Sequence, residues 1–362
     1  MISVKLYEKI YNELKQRIES GEFSGGKLLP TEKSLQEEFA VSRITVKQAY
    51  AKLSEEGLIT RVAGKGTMLA EKFEAHKSKL IGVVMCDFDS TFGERLIKSI
   101  EKNAEKHGYS IVIKRSFDNH KKEICVLNEL TALGVDGIII QNCHGTFTKN
   151  LIELFLKDFP LISVDRYAKG LLIPSVTSDN FSASVNATEY LINKGHKKIL
   201  FASVPTQSTS TLTERLDGFK QAHINSEISL STENFVVNLK SPVTKNENDI
   251  KADIALLKSH IMKNKITAIV AAERFAAGLC AKAAAELGLS FPKNIEMICF
   301  DYEDTFLSQS KYTHILQDEE EMGAVCVERL IKRINNENIT LRSTVKSKLI
   351  IGNSTFDGEQ SQ

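Results

Sequence analysis

From Leu80 onward, short apolar runs alternate with helical stretches at a nearly constant spacing, and few folds can absorb that pattern. Leu80–Cys86, Tyr109–Lys114, Gly137–Ile140 and Leu161–Val164 read as strands. Helices are expected at Glu94–Lys106, Lys121–Leu133 and Lys149–Leu156. A second series runs through helix Ala183–Asn193, strand Lys198–Ala202, helix Thr213–Ala222, strand Phe235–Leu239 and helix Ile250–Met262, then strand Thr267–Ala271, helix Ala276–Leu287 and strand Glu296–Phe300. Strands that are apolar throughout, separated by helices, predict parallel sheets covered on both faces. At roughly 270 residues, two lobes are expected rather than one sheet, because single cores stop growing near that size.

Such sheets bind ligands at the carboxyl ends of their strands. Asp87, Asp165 and Asp301 stand at those ends. An acidic residue after a strand either caps the next helix or faces a cleft; three at equivalent strand ends favour a polar cleft between lobes.

Before residue 70 the pattern is different. Tyr7–Ser20 places Tyr7, Ile10, Tyr11, Leu14 and Ile18 on one helical face. Thr31 is a suitable N-cap for a helix from Glu32 to Phe39, and Ser42 for a second helix, Arg43–Glu56, which Gly57 stops. Leu58–Val62 and Thr67–Ala70 flank Ala63-Gly64-Lys65-Gly66 as a hairpin. Two helices joined by a tight turn and followed by a hairpin form a winged helix-turn-helix, whose second helix enters the DNA major groove. Arg43 suits bidentate pairing with guanine, while Ser42, Thr45 and Lys47 suit phosphates. Arg61 and Lys65 on the hairpin reach toward the backbone or minor groove. The whole chain is nearly neutral, 47 basic against 46 acidic residues, so any attraction to DNA must be local. Between Ser42 and Gly66 five basic residues face only Glu55 and Glu56.

The polar segment 71–78 is expected to link a DNA-binding domain, 1–70, to a large domain, 79–362. The six cysteines are widely spaced, with no metal-ligand pattern and no C-x-x-C pair. Free thiols, a cytoplasmic location and no metal or cofactor are therefore expected. No signal peptide and no transmembrane run are visible.

Leu29-Pro30-Thr31-Glu32-Lys33-Ser34-Leu35, Val41-Ser42-Arg43-Ile44-Thr45-Val46, Leu53-Ser54-Glu55-Glu56-Gly57-Leu58-Ile59 and Gly64-Lys65-Gly66-Thr67 closely resemble the DNA-binding domain of GntR-type regulators over about residues 5–70. The resemblance implies DNA contacts from Lys33, Ser42, Arg43, Thr45, Lys47 and Gly64. Lys33 stands where many members have Arg and Ile44 where many have Thr, which bears on operator preference.

The rest of the chain resembles the sugar-binding domain of LacI/GalR repressors, itself similar to periplasmic sugar-binding proteins. The likeness lies in 79–84, 134–139, 160–166, 176–180, 191–199, Arg215-Leu216-Asp217-Gly218-Phe219 and 291–301. A GntR head on a LacI-like body is the organisation of arabinose repressors of Gram-positive bacteria. The resemblance implies a regulator, most simply a repressor released by a small carbohydrate, with arabinose or a related sugar as the leading expectation. It places Asp87, Phe88 and Phe92 on the first lobe's rim, Arg166 on the hinge side, and Asp179, Phe219, Glu273, Asp301 and Gln317 in the second lobe and crossover. Carboxylates and Arg suit sugar hydroxyls, although Phe219 fits a core position equally well. Ala272-Glu273 replaces a common Asn-Asp, and 351–355 lacks a usual Arg, so a reshaped pocket is expected. A homodimer through the large domain is implied too; Leu96, Ile97 and Ile100 lie where such domains pair, though core packing also accounts for them.

A sugar-processing enzyme or a transport-type binding protein could share the two-lobed fold. No G-x-S-x-G, Walker or G-x-G-x-x-G motif supports an enzyme, and the DNA-binding head argues against a transport protein.

Overall fold

The computed structural model describes residues 6–19, 22–23, 27–62, 64–70, 78–88, 92–143, 148–167, 170–205, 209–301 and 311–356. The chain divides into two compact units, Met1–Ser78 and Lys79–Gln362. All of the expected linker except Ser78 lies outside the described residues.

In the first unit, α1 (Leu6–Glu19), α2 (Glu32–Phe39) and α3 (Arg43–Glu55) precede the antiparallel pair β1 (Ile59–Val62) and β2 (Gly66–Leu69). Apolar residues at helical spacing, Ile10, Leu14 and Ile18 of α1 and Val46, Ala49, Tyr50 and Leu53 of α3, close one core with Leu35. Thr31 caps α2 by accepting from the Ser34 N–H at 3.1 Å, and Ser42 caps α3 by accepting from Thr45 at 3.3 Å. Ala40, left-handed at φ 51°, makes the sharp turn between them. Gly64, at φ 77°, supplies the conformation that the hairpin tip requires.

The second unit holds two six-stranded sheets. Its first half runs β3 (Leu80–Met85), α4 (Glu94–Lys106), β4 (Ser110–Arg115), α5 (His120–Ala132), β5 (Gly137–Ile140), α6 (Lys149–Leu156), β6 (Leu161–Val164) and β7 (Ser175–Ser178). The second half runs α7 (Asn180–Asn193), β8 (Ile199–Ser203), α8 (Ser210–Asn225), the short α9 (Thr232–Phe235), β9 (Val236–Asn238), the short α10 (Ser241–Thr244), α11 (Glu247–Asn264), β10 (Ala268–Ala271), α12 (Arg274–Glu286), β11 (Glu296–Phe300) and β12 (Thr313–Leu316). Then α13 (Glu319–Ile334) and β13 (Arg342–Val345) return to the first lobe, and β14 (Lys348–Ile350) ends in the second.

The orders are β13-β7-β6-β5-β3-β4 and β14-β12-β11-β10-β8-β9, so the lobes repeat one topology. All ladders are parallel except that of β14 on β12. The chain therefore crosses between lobes three times, at Asp179, at Gln317–Asp318 and at Lys346–Ser347. Hydrogen bonds tie these crossings together: Ser347 N–H donates to Asp179 Oδ1 at 2.8 Å, Asp179 N–H to the Val345 carbonyl at 2.9 Å, and Ser178 Oγ to Gln317 Oε1 at 2.5 Å. Where α7 and α8 cross, a Cβ at Gly218 would stand 2.3 Å from the Phe181 carbonyl, so only glycine admits that approach.

Leu96, Ile97 and Ile100 are buried in the first lobe's own core beside Met322 and Cys326 of α13. They do not form an exposed surface for a second subunit. No helix among the described residues is long and apolar enough to cross a membrane.

Candidate DNA-reading surface and effector cleft

Capping fixes the start of α3, and the residues expected to read DNA project from there. Ser42, Arg43 and Lys47 are exposed and Thr45 is half-buried. Ser42 Oγ and Thr45 Oγ1 share a 2.9 Å hydrogen bond. Lys33, Arg43 and Lys65 line one groove between α2, α3 and the hairpin, with a volume near 640 Å³. Arg61 stands beside it on β1. Glu32 organises this surface, and sequence reasoning passed over it. One carboxylate oxygen accepts from Arg43 Nε at 3.1 Å and the other from Arg61 Nη2 at 2.6 Å. Burial raises the Glu32 pKa, but the hydrogen bonds and charges of the two guanidiniums outweigh it and hold the carboxyl below its usual range. Both arginines remain largely exposed, so the carboxylate aims them without hiding them.

In the large unit, topology brings the strand ends together. Asp165 follows β6 and Asp301 follows β11, the same place in each sheet, and both are left-handed, at φ 63° and 58°. Asp is among the few residues that tolerate this conformation. Asp301 Oδ1 accepts from Gln317 Nε2 at 2.5 Å, and its Oδ2 from Arg215 Nη1 at 3.3 Å. Arg215 is buried, with further bonds to the Ala272 carbonyl at 2.7 Å and Asn180 Oδ1 at 2.9 Å, and its guanidinium lies 4.0 Å from the Phe300 ring centre. Glu273, Asp301 and Phe92 line a cavity of about 550 Å³. Glu273 Oε1 is buried without a hydrogen-bond partner among the described residues. Burial pushes its pKa up, Asp301 adds to that, and Arg215 and Arg166 oppose it.

Across the cleft, Arg166 donates to Asp118 Oδ1 at 3.2 Å and lies 3.5 Å from Asp165 Oδ2. Gln141 Nε2 donates to that same Asp165 oxygen at 2.8 Å, and burial raises the Asp165 pKa. Arg166 Nη1 also approaches Cys86 Sγ at 3.7 Å. The ligand atoms of Cys86, Asp118 and Cys143 lie within 4.8 Å of one another, a spacing that could suit a metal. Here the guanidinium already occupies the cation's place. The hydrogen bond with Cys143, and then burial, push the Cys86 thiol well above its usual range and keep it protonated.

Of the effector residues expected from sequence, Phe92, Glu273, Asp301 and Gln317 come together, and Arg166 faces them. Phe88 packs against the first lobe's core, and Asp179 is engaged at the hinge. Two expectations need correction. Phe219 is completely buried, stacked 5.1 Å from Phe201 and 4.5 Å from His223, so its ring belongs to the second lobe's core and presents no face to a sugar. Asp87 is exposed and ion-paired with Arg115 of the edge strand β4, and it is not among the residues that line the cavity. Arg215 was missed, although Leu212, Arg215, Phe219 and Ala222 share one helical face; a lone Arg within such a stripe signals a buried charge awaiting a carboxylate.

A winged helix-turn-helix with a cationic groove, on the same chain as a two-lobed body with a polar cleft, defines a ligand-responsive DNA-binding transcription regulator. No enzymatic family is indicated. The model of bacterial regulatory proteins of the gntR family matches residues 6–69. That of periplasmic binding proteins and the sugar binding domain of the LacI family matches residues 78–351, and the chain belongs to this family. The chain is 25% identical over 362 residues to an arabinose metabolism transcriptional repressor of Geobacillus stearothermophilus, covering 96% of this chain and 97% of the relative. It is 29% identical over 286 residues to catabolite control protein A of Priestia megaterium, covering 78% and 82%. The crystal structure of the transcription regulator CcpA of Lactococcus lactis shares the fold at a TM-score of 0.66 and 21% identity, over 76% of this chain and 99% of that one.

Proposed function

We propose that this regulator is a repressor that leaves its operator when an uncharged carbohydrate, arabinose or a related sugar, enters the cleft of the large unit. The acceptors of the cleft carry the choice of ligand: Arg166 is already matched by Asp118 and Asp165, and Arg215 by Asp301, while the exposed Arg274 also lines the cavity. Glu273 adds a further acid with an open oxygen. Such a site offers several acceptors to hydroxyl groups, with Arg274 as an exposed donor in its lining. Buried polar groups of this kind also reject analogues that lack the matching hydroxyl. Phe92, Arg166, Glu273, Asp301 and Gln317 are assigned to the effector, with Arg215 holding Asp301 in place. Lys33, Ser42, Arg43, Thr45, Lys47, Arg61, Gly64 and Lys65 are assigned to DNA.

The crossings supply the coupling. Gln317 touches Asp301; two residues later Glu319 accepts from the Gly93 and Leu96 N–H groups at 2.7 and 3.1 Å, capping α4. A ligand that draws on Asp301 thus acts on a segment rooted in the first lobe. A homodimer reading half-sites about one helical turn apart, near 10 base pairs, fits this architecture. The cytoplasm is its place of action, consistent with six free cysteines.

The test uses a duplex selected from a random pool by the full chain. Arg43→Ala is expected to weaken it by about 1–3 kcal/mol and erase preference for it over random DNA. Asp301→Asn and Arg166→Ala are expected to bind it normally yet ignore the sugar. Release by wild-type sugar concentrations in either variant would remove that residue from the site.

A further inference from the structure

Ile44 is 71% exposed, the most exposed large hydrophobic among the described residues of the first unit, and it belongs to no core cluster. Single exposed apolar residues are ordinary on protein surfaces. What sets this one apart is its place. It is the second residue of α3, between Arg43 and Thr45, in the turn fixed by the Ser42 cap and the Ser42–Thr45 hydroxyl pair. Arg43 beside it lines the cationic groove and is aimed by Glu32. Any duplex that engages the start of α3 through these polar groups must therefore bring base edges against a rigid branched hydrocarbon. β-branching leaves Ile44 essentially one χ1 rotamer on a helix, so its position is set in advance. In the major groove one base offers an apolar partner, thymine, through its C5 methyl group.

We propose that Ile44 is a specificity-determining residue that reads a thymine methyl group, so each operator half-site carries a thymine next to the base pair engaged by Arg43. A cytosine at that position would present its N4 amino edge to hydrocarbon and lose a hydrogen bond to water without replacement. The inference rests on the assignment of α3 to DNA reading but adds a base identity to it.

The experiment uses the full chain and the duplex it selects from a random pool, with each thymine replaced singly by deoxyuridine, which deletes only the methyl group. For the wild-type protein, one thymine per half-site is expected to weaken binding about three- to tenfold on replacement, the worth of burying a methyl against a side chain. In Ile44→Ser and Ile44→Asn, which offer no methyl group there, that same replacement is expected to change affinity less than twofold. The dependence on salt should stay as in wild type, because no phosphate contact is lost. If no deoxyuridine substitution matters to the wild type, or if the sensitive position stays sensitive in both variants, the inference is overturned. Failure to select any sequence would instead overturn the DNA-reading assignment and this inference with it. Ile44 makes no core contact, so both variants should melt with the wild type.

Discussion

Replacing Arg215 with methionine tests whether the cleft is held by a buried charge pair. The guanidinium is 2% exposed and satisfies three acceptors, Asp301, the Ala272 carbonyl and Asn180. Methionine fills much of the volume beside Phe300 but donates nothing. Three acceptors lose their donor, and Asp301, with only 17% of its side chain exposed, loses its counter-charge. Breaking such a pair from one side costs about 3–5 kcal/mol. At about 2 °C per kcal/mol for a unit of this size, melting should fall by about 6–10 °C. Calorimetry of the full chain reads it, because the larger unit gives the transition of larger enthalpy. Adding Asp301→Asn keeps an acceptor for Gln317 and removes the stranded charge, so the double variant should be at least ~1 kcal/mol more stable than the sum of the single losses. A shift under 2 °C for Arg215→Met, or strict additivity, would refute the idea that the pair holds the cleft.

Phe219→Ala should cost about 3–5 kcal/mol in the same transition while leaving sugar preference unchanged, since its ring contacts only core; a changed preference at unchanged stability would restore it to the cleft. Glu273→Gln should stabilise the ligand-free protein at pH 7.5. Burial raises this acid's folded pKa above its unfolded value, so its favourable state is the protonated one, present at low pH and lost as pH rises through the folded pKa. The gain should shrink toward pH 4.5, and urea titrations at both pH values check it. Glu32→Gln should tighten binding to random duplex and narrow the preference for the selected one, because it removes a negative charge from the DNA face and frees Arg43 and Arg61. Competition binding measures both.

Much of the layout was legible because apolar strands and capped helices announce themselves. In the large unit the strands from β3 to β11, apart from β7, appear as runs with an apolar centre, and Thr31 and Ser42 mark helix starts by their chemistry. The crossings were not legible. β7 reads Ser-Val-Thr-Ser and β13 Arg-Ser-Thr-Val, strands too polar to register as buried, yet β7 is buried throughout. One hydroxyl on each meets a partner from another segment, Ser178 with Gln317 and Ser343 with Arg329. Local sequence carries no trace of such pairing. The cleft was half legible for a related reason. Asp301 and Glu273 stand where strand ends converge, but whether an aromatic such as Phe219 faces ligand or core depends on helix rotation, and its neighbour Leu216 permits either.

The most direct measurement is the affinity of the full chain for its selected operator, taken without sugar and at saturating concentrations of whichever uncharged pentose or hexose most raises its melting temperature. Uronic acids and sugar phosphates run alongside. An uncharged sugar is expected to weaken operator binding about 5–150-fold, the range of ordinary couplings, and the operator must weaken sugar binding by the same factor. The anionic compounds should weaken it less, because the carboxylates of Glu273 and Asp301 in the cavity lining repel a negative charge. Operator affinity that stays constant at saturating uncharged sugar, or that falls only with an anionic one, would contradict the account.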